Sequence, residues 1–315
     1  MTAYSVLVPF TPTRPEQILP FAATVCHSRA DRLWQGQSLL VETHQGFVYA
    51  AGAGFRVPAG LGVTLTPLRH PYEAALQARS LALTTGQSVV AGYGPGARPF
   101  QAGLLGEPYR SPLAATRDYL TAVRALLDGE TAGHQGGESA LAPFPAPRVD
   151  VGVGVLRPRM AALAGEVADV AITWLTPAGY LRDTVLPAMS RGAATAGRPR
   201  PRLTAMVPLA LTGPDRDPAR LALASNAAHL RMPHYQDMLR RSGIDVTGAE
   251  TDAKALVEGR AFLFGDVAEI VQQVHEYRDA GVDEVVLNLT GVAALHGLRA
   301  ALTETRTVLD ALTGN

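Results

Sequence analysis

The sequence predicts a single (β/α)8 barrel of the TIM type that spans residues 1–315 and carries an inserted helical lid segment. Eight short apolar segments of strand character alternate with helical segments. The 315 residues are 47% apolar and 18% charged, which suits one large core. A doubly wound dinucleotide-binding sheet is the rival fold, but Gly92, Gly94 and Gly96 are spaced GxGxG and not GxGxxG. Pro95 and Pro99 further predict that no helix starts directly after these glycines.

The first half of the chain is organised around a strand–helix–strand unit at residues 62–96. β-Branched residues such as Val63 favour a strand, and Pro67 ends it because proline cannot donate to a sheet ladder. Pro71 suits the first turn of the next helix, and Thr43 is the predicted cap of the helix before it. The predicted strands lie at 5–10, 31–34, 62–66 and 88–91, and the helices at 15–29, 43–54, 72–83 and 113–127.

The second half repeats the same alternation. The predicted strands lie at 149–155, 170–174, 203–211 and 284–289, and the helices at 158–167, 177–197, 217–230, 266–280 and 298–312. Residues 129–147 are rich in Gly, Pro and Ala, which predicts an irregular surface excursion. Residues 233–265 have a helical pattern outside the repeat and predict the lid.

Composition and charge narrow the class of protein. The 28 basic and 28 acidic residues balance, so the net charge does not favour a nucleic-acid or anionic-membrane partner. Cys26, the single cysteine, excludes an intramolecular disulfide and is expected to be a buried, inert thiol. The N-terminus lacks a basic leader, and apolar runs stay below the ~18 residues of a membrane span. We therefore expect a cytoplasmic protein.

Ligands of such barrels bind at the C-terminal ends of the strands, and few of the residues expected there can titrate near neutral pH. The sequence offers no paired carboxylates, no metal-ligand spacing and no GxSxG elbow. A mouth of this kind fits a site in which a bound cofactor carries the chemistry. It also fits a barrel that only binds a ligand.

Three long segments carry a family resemblance. Residues 64–96 read TLTPLRHPYEAALQARSLALTTGQSVVAGYGPG, residues 151–177 read VGVGVLRPRMAALAGEVADVAITWLTP, and residues 264–289 read FGDVAEIVQQVHEYRDAGVDEVVLNL. In order and spacing they resemble the bacterial luciferase-like family of flavin- and deazaflavin-dependent TIM barrels. RLWQGQS at residues 32–38 is similar to the branch of reductases that use coenzyme F-420, an 8-hydroxy-5-deazaflavin. Within it, the chain resembles the type that reduces dehydroamino acids in lanthipeptides.

The resemblance implies a cofactor site, for coenzyme F-420 or alternatively FMN. A bulge at the end of the third strand, here Val63-Thr64, would support the back of the tricyclic ring, with a non-proline cis peptide there or at Gly62–Val63. The loops after the fourth and fifth strands would contact the polar side chain and the anionic end. Together with the barrel rule, the implied cofactor-binding residues are Phe10, Trp34, Gln37, Val63, Thr64, Gly94, Pro95, Gly96, Gly154, Val155, Arg157 and Arg159.

One departure from the family determines the expected reaction. Deazaflavin-dependent alcohol and sugar dehydrogenases carry an Asp-His pair after the second strand, where this chain has Gln37-Ser38. Without that base, the resemblance implies hydride delivery to an activated C=C or C=N bond, such as a dehydroamino acid in a peptide. The candidate proton donors are Ser38, Tyr93 and His44.

Two other functions stay open from the sequence. One is an FMN-dependent luciferase-like monooxygenase, and the other is a non-catalytic flavin-binding barrel. In each case we expect a small-molecule or peptide ligand and no nucleic-acid, membrane or metal partner. A homodimer stays an open alternative.

Overall fold

A computed structural model describes residues 2–134 and 136–314, and within them eight parallel strands close into a barrel. Each strand pairs with its neighbours in chain order, and β1 pairs with β8, which completes the ring. The predicted fold is confirmed. The strands are β1 (Ala3–Leu7), β2 (Leu33–Gln35), β3 (Ala59–Leu65), β4 (Val89–Gly94), β5 (Val149–Gly154), β6 (Val170–Trp174), β7 (Arg202–Leu211) and β8 (Glu284–Asn288).

Helices surround this barrel. They are α1 (Leu19–Cys26), α2 (Thr43–Gly52), α3 (Pro71–Thr85), α4 (Arg98–Leu105), α5 (Pro112–Leu127), α6 (Pro158–Val167), α7 (Leu186–Thr195), α8 (Pro218–Leu230), α9 (Pro233–Arg241), α10 (Ala253–Glu258), α11 (Val267–Asp279) and α12 (Thr290–Thr313). A short helix at Ala178–Tyr180 and a π-helical turn at Leu181–Val185 lead into α7. Across the described ranges, no helix combines the length and apolar character needed to span a membrane.

The barrel interior is filled by side chains and is not a channel. Its apolar residues are Leu7, Trp34, Val90, Val170, Ile172, Met206 and Val286. Trp34 donates its indole N–H to Glu284 at 2.6 Å, and Gly60 leaves room for the ring, because a Cβ there would stand 2.2 Å from a ring carbon. Ser5 and Thr204 also donate to the Glu284 carboxylate. Since Glu284 begins β8, this network closes the end of the barrel opposite the mouth.

Three local predictions were wrong. The cap of α2 is Glu42 and not Thr43, since the Glu42 carboxylate accepts the backbone N–H of His44 at 2.8 Å. Helix α4 does start after the glycine-rich loop, because Pro99 lies in its first turn, where no N–H donor is needed. The thiol of Cys26, at the last residue of α1, is exposed and not buried.

The two irregular segments are more ordered than their composition indicates. The excursion at 129–147 contains an antiparallel hairpin of Ala132–His134 and Gly137–Ser139. The segment at 233–265 holds α9 and α10, and its strand Leu263–Gly265 pairs in parallel with the end of β7. This inserted segment is therefore joined to the barrel sheet at its C-terminal end.

Candidate active site

The floor of the barrel mouth is formed where β3 meets β4 and β5. The Gly62–Val63 peptide bond is cis, and the pairing of β3 with β4 shifts register between Leu61 and Thr64, as predicted for this stretch. Val63 faces two glycines: a Cβ on Gly94 would stand 2.9 Å from its Cγ2, and one on Gly154 would stand 3.5 Å from its Cγ1. The bulge thus places the apolar Val63 side chain opposite positions on β4 and β5 that carry no side chain.

Thr64 stabilises this bulge from behind. Its hydroxyl donates to the carbonyl of Gly92 at 3.0 Å, and the residue is 1% exposed. The Thr64 hydroxyl is thus used within the sheet, and cofactor binding by Thr64 stays a prediction.

The loop after β4 is held by a residue that the sequence reading missed. The side-chain amide of Gln101 in α4 donates to the carbonyls of Pro95 and Gly96 at 3.0 and 2.9 Å, and its oxygen accepts the N–H of Tyr109. Gln101 is 1% exposed, so these bonds are shielded from water. A polar residue on the inner face of α4 was the available signal, but that helix was not predicted.

The loop after β5 places its predicted residues at different depths. Gly154 lies beside Val63, whereas the side chain of Val155 is buried in the hydrophobic core. Arg157 precedes the first turn of α6, with its side chain 55% exposed and 3.6 Å from Asp237 of α9. Arg159 is exposed one residue into that helix. Both arginines lie at the outer rim, and their part in anion binding stays a prediction.

Two aromatic residues predicted for the site point elsewhere. Trp34 is fully buried in the barrel interior, so its ring is not exposed at the mouth. Tyr93 faces outward from β4, packs on Tyr119 and donates its hydroxyl to the carbonyl of Ala74. Burial raises the pKa of Tyr93 well above its usual range. Tyr93 is therefore not the proton donor that the sequence suggested.

The loop after β2 uses its polar residues to hold itself. The Ser38 hydroxyl accepts the N–H groups of Leu40 and Val41, both at 3.2 Å, and the residue is 4% exposed. Gln37 donates to the carbonyl of Ser38 and accepts the N–H of Leu65, which links this loop to the end of β3. These contacts hold Ser38 in the turn, and its role as a proton donor stays a prediction.

His44 has the surroundings of an acid–base residue. Its Nδ1 lies 2.7 Å from Oε1 of Glu42, and Nη2 of Arg69 lies 3.3 Å from the same oxygen. Burial alone would raise the pKa of Glu42, but the hydrogen bonds from His44 and the Arg69 charge lower it overall. An ionised carboxylate therefore orients the imidazole through its Nδ1. The sequence reading missed Glu42 and Arg69, since the two loops meet only in the fold.

The far side of the mouth is aromatic. Phe10, just after β1, is half-buried and packs on Phe21 at 5.9 Å between ring centroids. Trp174 ends β6 and stacks on His229 of α8 at 5.2 Å, and His229 meets Tyr235 of α9 edge-on at 4.8 Å. Trp174 and Val63 both border the apolar barrel interior from the mouth.

A separate cavity of about 910 Å³ opens beside the mouth. Its walls come from the loop after β3, the start of α5 and the hairpin, and include Arg69, Tyr109, Tyr119 and His134. Val63 and the two glycines that it faces are not among its lining residues. In the described ranges, no three His, Cys, Asp or Glu side chains come together as a metal site.

Comparisons with known proteins show to which family this barrel belongs. The model of the family described as luciferase-like monooxygenase matches residues 31–284. The chain is 28% identical over 255 residues to a 5,10-methylenetetrahydromethanopterin reductase of Methanolobus tindarius. The alignment covers 73% of this chain and 76% of that protein.

Two solved structures share the fold across almost the whole chain. An F-420-dependent secondary alcohol dehydrogenase, solved with an F-420–acetone adduct, has a TM-score of 0.75 at 16% identity and covers 99% of both chains. The oxygenating constituent of 3,6-diketocamphane monooxygenase of Pseudomonas putida, in complex with FMN, has a TM-score of 0.75 at 12% identity and covers 100% of this chain and 98% of that one. Because the family model matches most of the sequence, the protein belongs to the luciferase-like monooxygenase family.

Proposed function

We propose that the protein is an oxidoreductase that binds reduced coenzyme F-420 in the barrel mouth and delivers hydride to an electron-poor C=N or C=C bond. The observation that carries this proposal is the floor made by Val63 against Gly94 and Gly154, which has the shape to support a planar ring. The sequence relative, a 5,10-methylenetetrahydromethanopterin reductase, supports the direction of the reaction, and the F-420-dependent dehydrogenase of the same fold supports the deazaflavin.

The residues present fit such a cofactor. Side chains on Gly94 or Gly154 would fill the space next to Val63, and Gln101 holds the adjoining loop in place. Arg157 and Arg159 lie at the start of α6, where an anionic group would also meet the positive end of a helix. When bound in its reduced form, coenzyme F-420 supplies the hydride.

The chain itself supplies the proton. Hydride addition leaves a basic nitrogen or carbon on the substrate, and His44, oriented by Glu42, is the residue we assign to protonate it. His44 and Arg69 together keep the Glu42 carboxylate ionised, so that Nδ1 retains the hydrogen that it donates to Glu42 and the imidazolium gives up the proton on Nε2. Ser38 and Tyr93, engaged elsewhere, leave His44 as the donor in this proposal.

The same fold accommodates two alternatives. An FMN-dependent monooxygenase is favoured by the FMN-bound structural neighbour, although at 12% identity that likeness concerns the fold. A non-catalytic flavin-binding barrel would use the same floor without turnover. We also propose that the substrate is a small molecule or a peptide, for example a peptide that contains a dehydroamino acid.

Parallel titrations of the purified protein with coenzyme F-420 and with FMN test the cofactor. We expect F-420 to bind with a dissociation constant of about 1 μM or less, equivalent to about −8 kcal/mol, and FMN at least ~10-fold more weakly. Tighter binding of FMN, or FMN that copurifies in stoichiometric amount, would overturn the proposal. Turnover of the bound reduced cofactor with an imine or alkene would remove the non-catalytic alternative.

A further inference from the structure

Buried polar atoms without a hydrogen-bond partner collect on the β6–β8 side of the mouth. Within the described ranges, they are Trp174 Nε1, Ser225 Oγ, Asn226 Oδ1, His229 Nδ1 and Asn288 Nδ2. A buried donor or acceptor that lacks a partner costs about 1–3 kcal/mol, so a group of them needs an explanation. We call these five residues the α8 polar cluster.

The fold brings the cluster together from three elements. Ser225, Asn226 and His229 lie within about one turn of α8, and His229 stacks on Trp174 at the end of β6. Asn288 ends β8, three residues before Gly291. A Cβ on Gly291 would stand 2.3 Å from the carbonyl oxygen of Leu221 in α8, so the end of β8 lies beside that helix.

The donors and acceptors that lack a partner indicate which groups a ligand would need in order to bond them. Trp174 Nε1 and Asn288 Nδ2 are donors, and Asn288 already uses its oxygen to accept the N–H of Thr290. Asn226 presents its oxygen as an acceptor, because its nitrogen donates to the carbonyl of Ala222. Burial, and then the neighbouring His234, lower the pKa of His229 to about 4, so the cluster is uncharged near neutral pH. A neutral group with both a carbonyl and an N–H matches this arrangement.

The cluster lies on the mouth side of the barrel and is covered by α9. Trp174 and Val63 both pack on the barrel interior, and their strands β6 and β3 are separated by β4 and β5, so a group held at Trp174 would lie across part of the mouth from a ring on Val63. Tyr235 of α9 closes over His229. The ion pair that joins α9 to the rim, Arg157 with Asp237 at 3.6 Å, is largely exposed and therefore weak. Access requires α9 to move.

We propose that the α8 polar cluster binds an amide group of the substrate when α9 moves aside. The amide is either a peptide bond next to the reacting double bond or the lactam of a fused pyrimidine ring such as a pterin. This inference rests on the proposed function, because it places the amide opposite the hydride donor.

Calorimetric titration of the cofactor-free full-length protein tests the site without catalysis. The probes are N-acetyldehydroalanine methylamide, the corresponding methyl ester, which lacks the terminal N–H, and 6-hydroxymethylpterin. One neutral hydrogen bond contributes about 0.5–1.5 kcal/mol, so we expect Trp174→Phe and Asn288→Asp each to weaken binding of the preferred probe by about three- to tenfold. Tyr49→Phe, which removes one polar group at an exposed position of α2, should leave binding within about twofold.

The titrations distinguish a peptide amide from a lactam, and they also show when the inference fails. Preference for the methylamide over its ester indicates a peptide substrate, preference for the pterin indicates a lactam, and either supports the site even where a variant fails to fold. Wild-type protein that binds none of the probes, or variants that bind them unchanged, would overturn the inference. Variants that lose affinity for coenzyme F-420 and not for the probes would assign the cluster to the cofactor and overturn the inference. A wild type that binds the probes but no F-420 refutes the proposed function instead.

Discussion

The imidazole Nδ1 of His44 and the carboxylate Oε1 of Glu42 lie 2.7 Å apart at the barrel mouth, and Arg69 shares that carboxylate. One acidic side chain thus joins the loop after β2 to the loop after β3. The Asp-His pair of related dehydrogenases is missing at Gln37-Ser38, yet this loop still brings a carboxylate and an imidazole together a few residues later.

Replacement of His44 tests its role as the proton donor. A positioned acid typically contributes about 10²–10⁴-fold to rate, so His44→Ala should lower kcat by about a hundredfold while F-420 affinity changes by less than about threefold. Glu42→Gln, which leaves the imidazole in place but without its charged partner, should lower kcat about tenfold. Steady-state reduction of an imine or alkene acceptor measures both. His296→Ala on the exposed part of α12 is the control, and an unchanged kcat in His44→Ala would contradict the assignment.

Arg157 tests the anionic end of the cofactor site. A charge-assisted hydrogen bond contributes about 1.5–3 kcal/mol, so Arg157→Ala should weaken F-420 binding by roughly ten- to a hundredfold. Its ion pair with Asp237 is exposed, so the thermal midpoint of the cofactor-free protein should stay almost unchanged. Fluorescence titration measures the affinity, with Arg191→Ala, an exposed arginine of α7, for comparison. Equal affinities of the two variants would place Arg157 among the surface arginines without a role.

Two substitutions test the contact between Gly94 and Val63 at the floor of the mouth. A methyl group on Gly94 would lie 2.9 Å from Val63, so Gly94→Ala should displace that side chain and weaken cofactor binding about tenfold. The double variant Gly94→Ala with Val63→Ala removes the clash and should recover most of the affinity. Gly103→Ala in α4 has open space around it and serves as the control. If the double variant binds as weakly as the single one, the contact is not the cause.

His229 should make stability depend on pH. Burial, with a smaller effect of His234, lowers its pKa from 6.5 to about 4, so between these pH values the unfolded chain binds a proton that the folded protein does not. Its contribution is fully present above pH 6.5 and is lost as the pH falls towards 4, by up to about 3 kcal/mol. His229→Phe keeps the stack on Trp174 and should flatten this part of the curve. Thermal unfolding from pH 7 to 4 measures it, and His296→Phe at an exposed site should retain the wild-type slope.

The direction of the reaction is testable with a substrate panel. Oxidation of an alcohol needs a base that removes its proton, whereas reduction of an imine or activated alkene needs a donor. With Gln37 and Ser38 both engaged in loop contacts, we expect anaerobic oxidation of reduced F-420 by electron-poor imines or alkenes, including a dehydroalanine peptide. Secondary alcohols and sugar phosphates should not reduce oxidised F-420. Rapid alcohol oxidation would mean that His44 acts as a base.

The alternation of strands and helices could be read from local pattern. Helix α6 and strand β6 were predicted at their observed bounds, because a proline at a helix start and a short β-branched run are local signals. The bulge at Val63 and the glycines opposite it were likewise visible, since they lie in segments that resemble a known family.

Which side chains reach the mouth was decided by the tertiary structure. Strands of a parallel barrel are buried on both faces, so their hydrophobic runs do not reveal which residues point inward. Trp34 and Tyr93 were therefore read as site residues, although Trp34 fills the barrel interior and Tyr93 faces the helices. Glu42 and Arg69 were missed because they meet only in the fold, and Gln101 was missed because its helix was not predicted. Sequence spacing determined the barrel, and contacts between distant segments determined its chemistry.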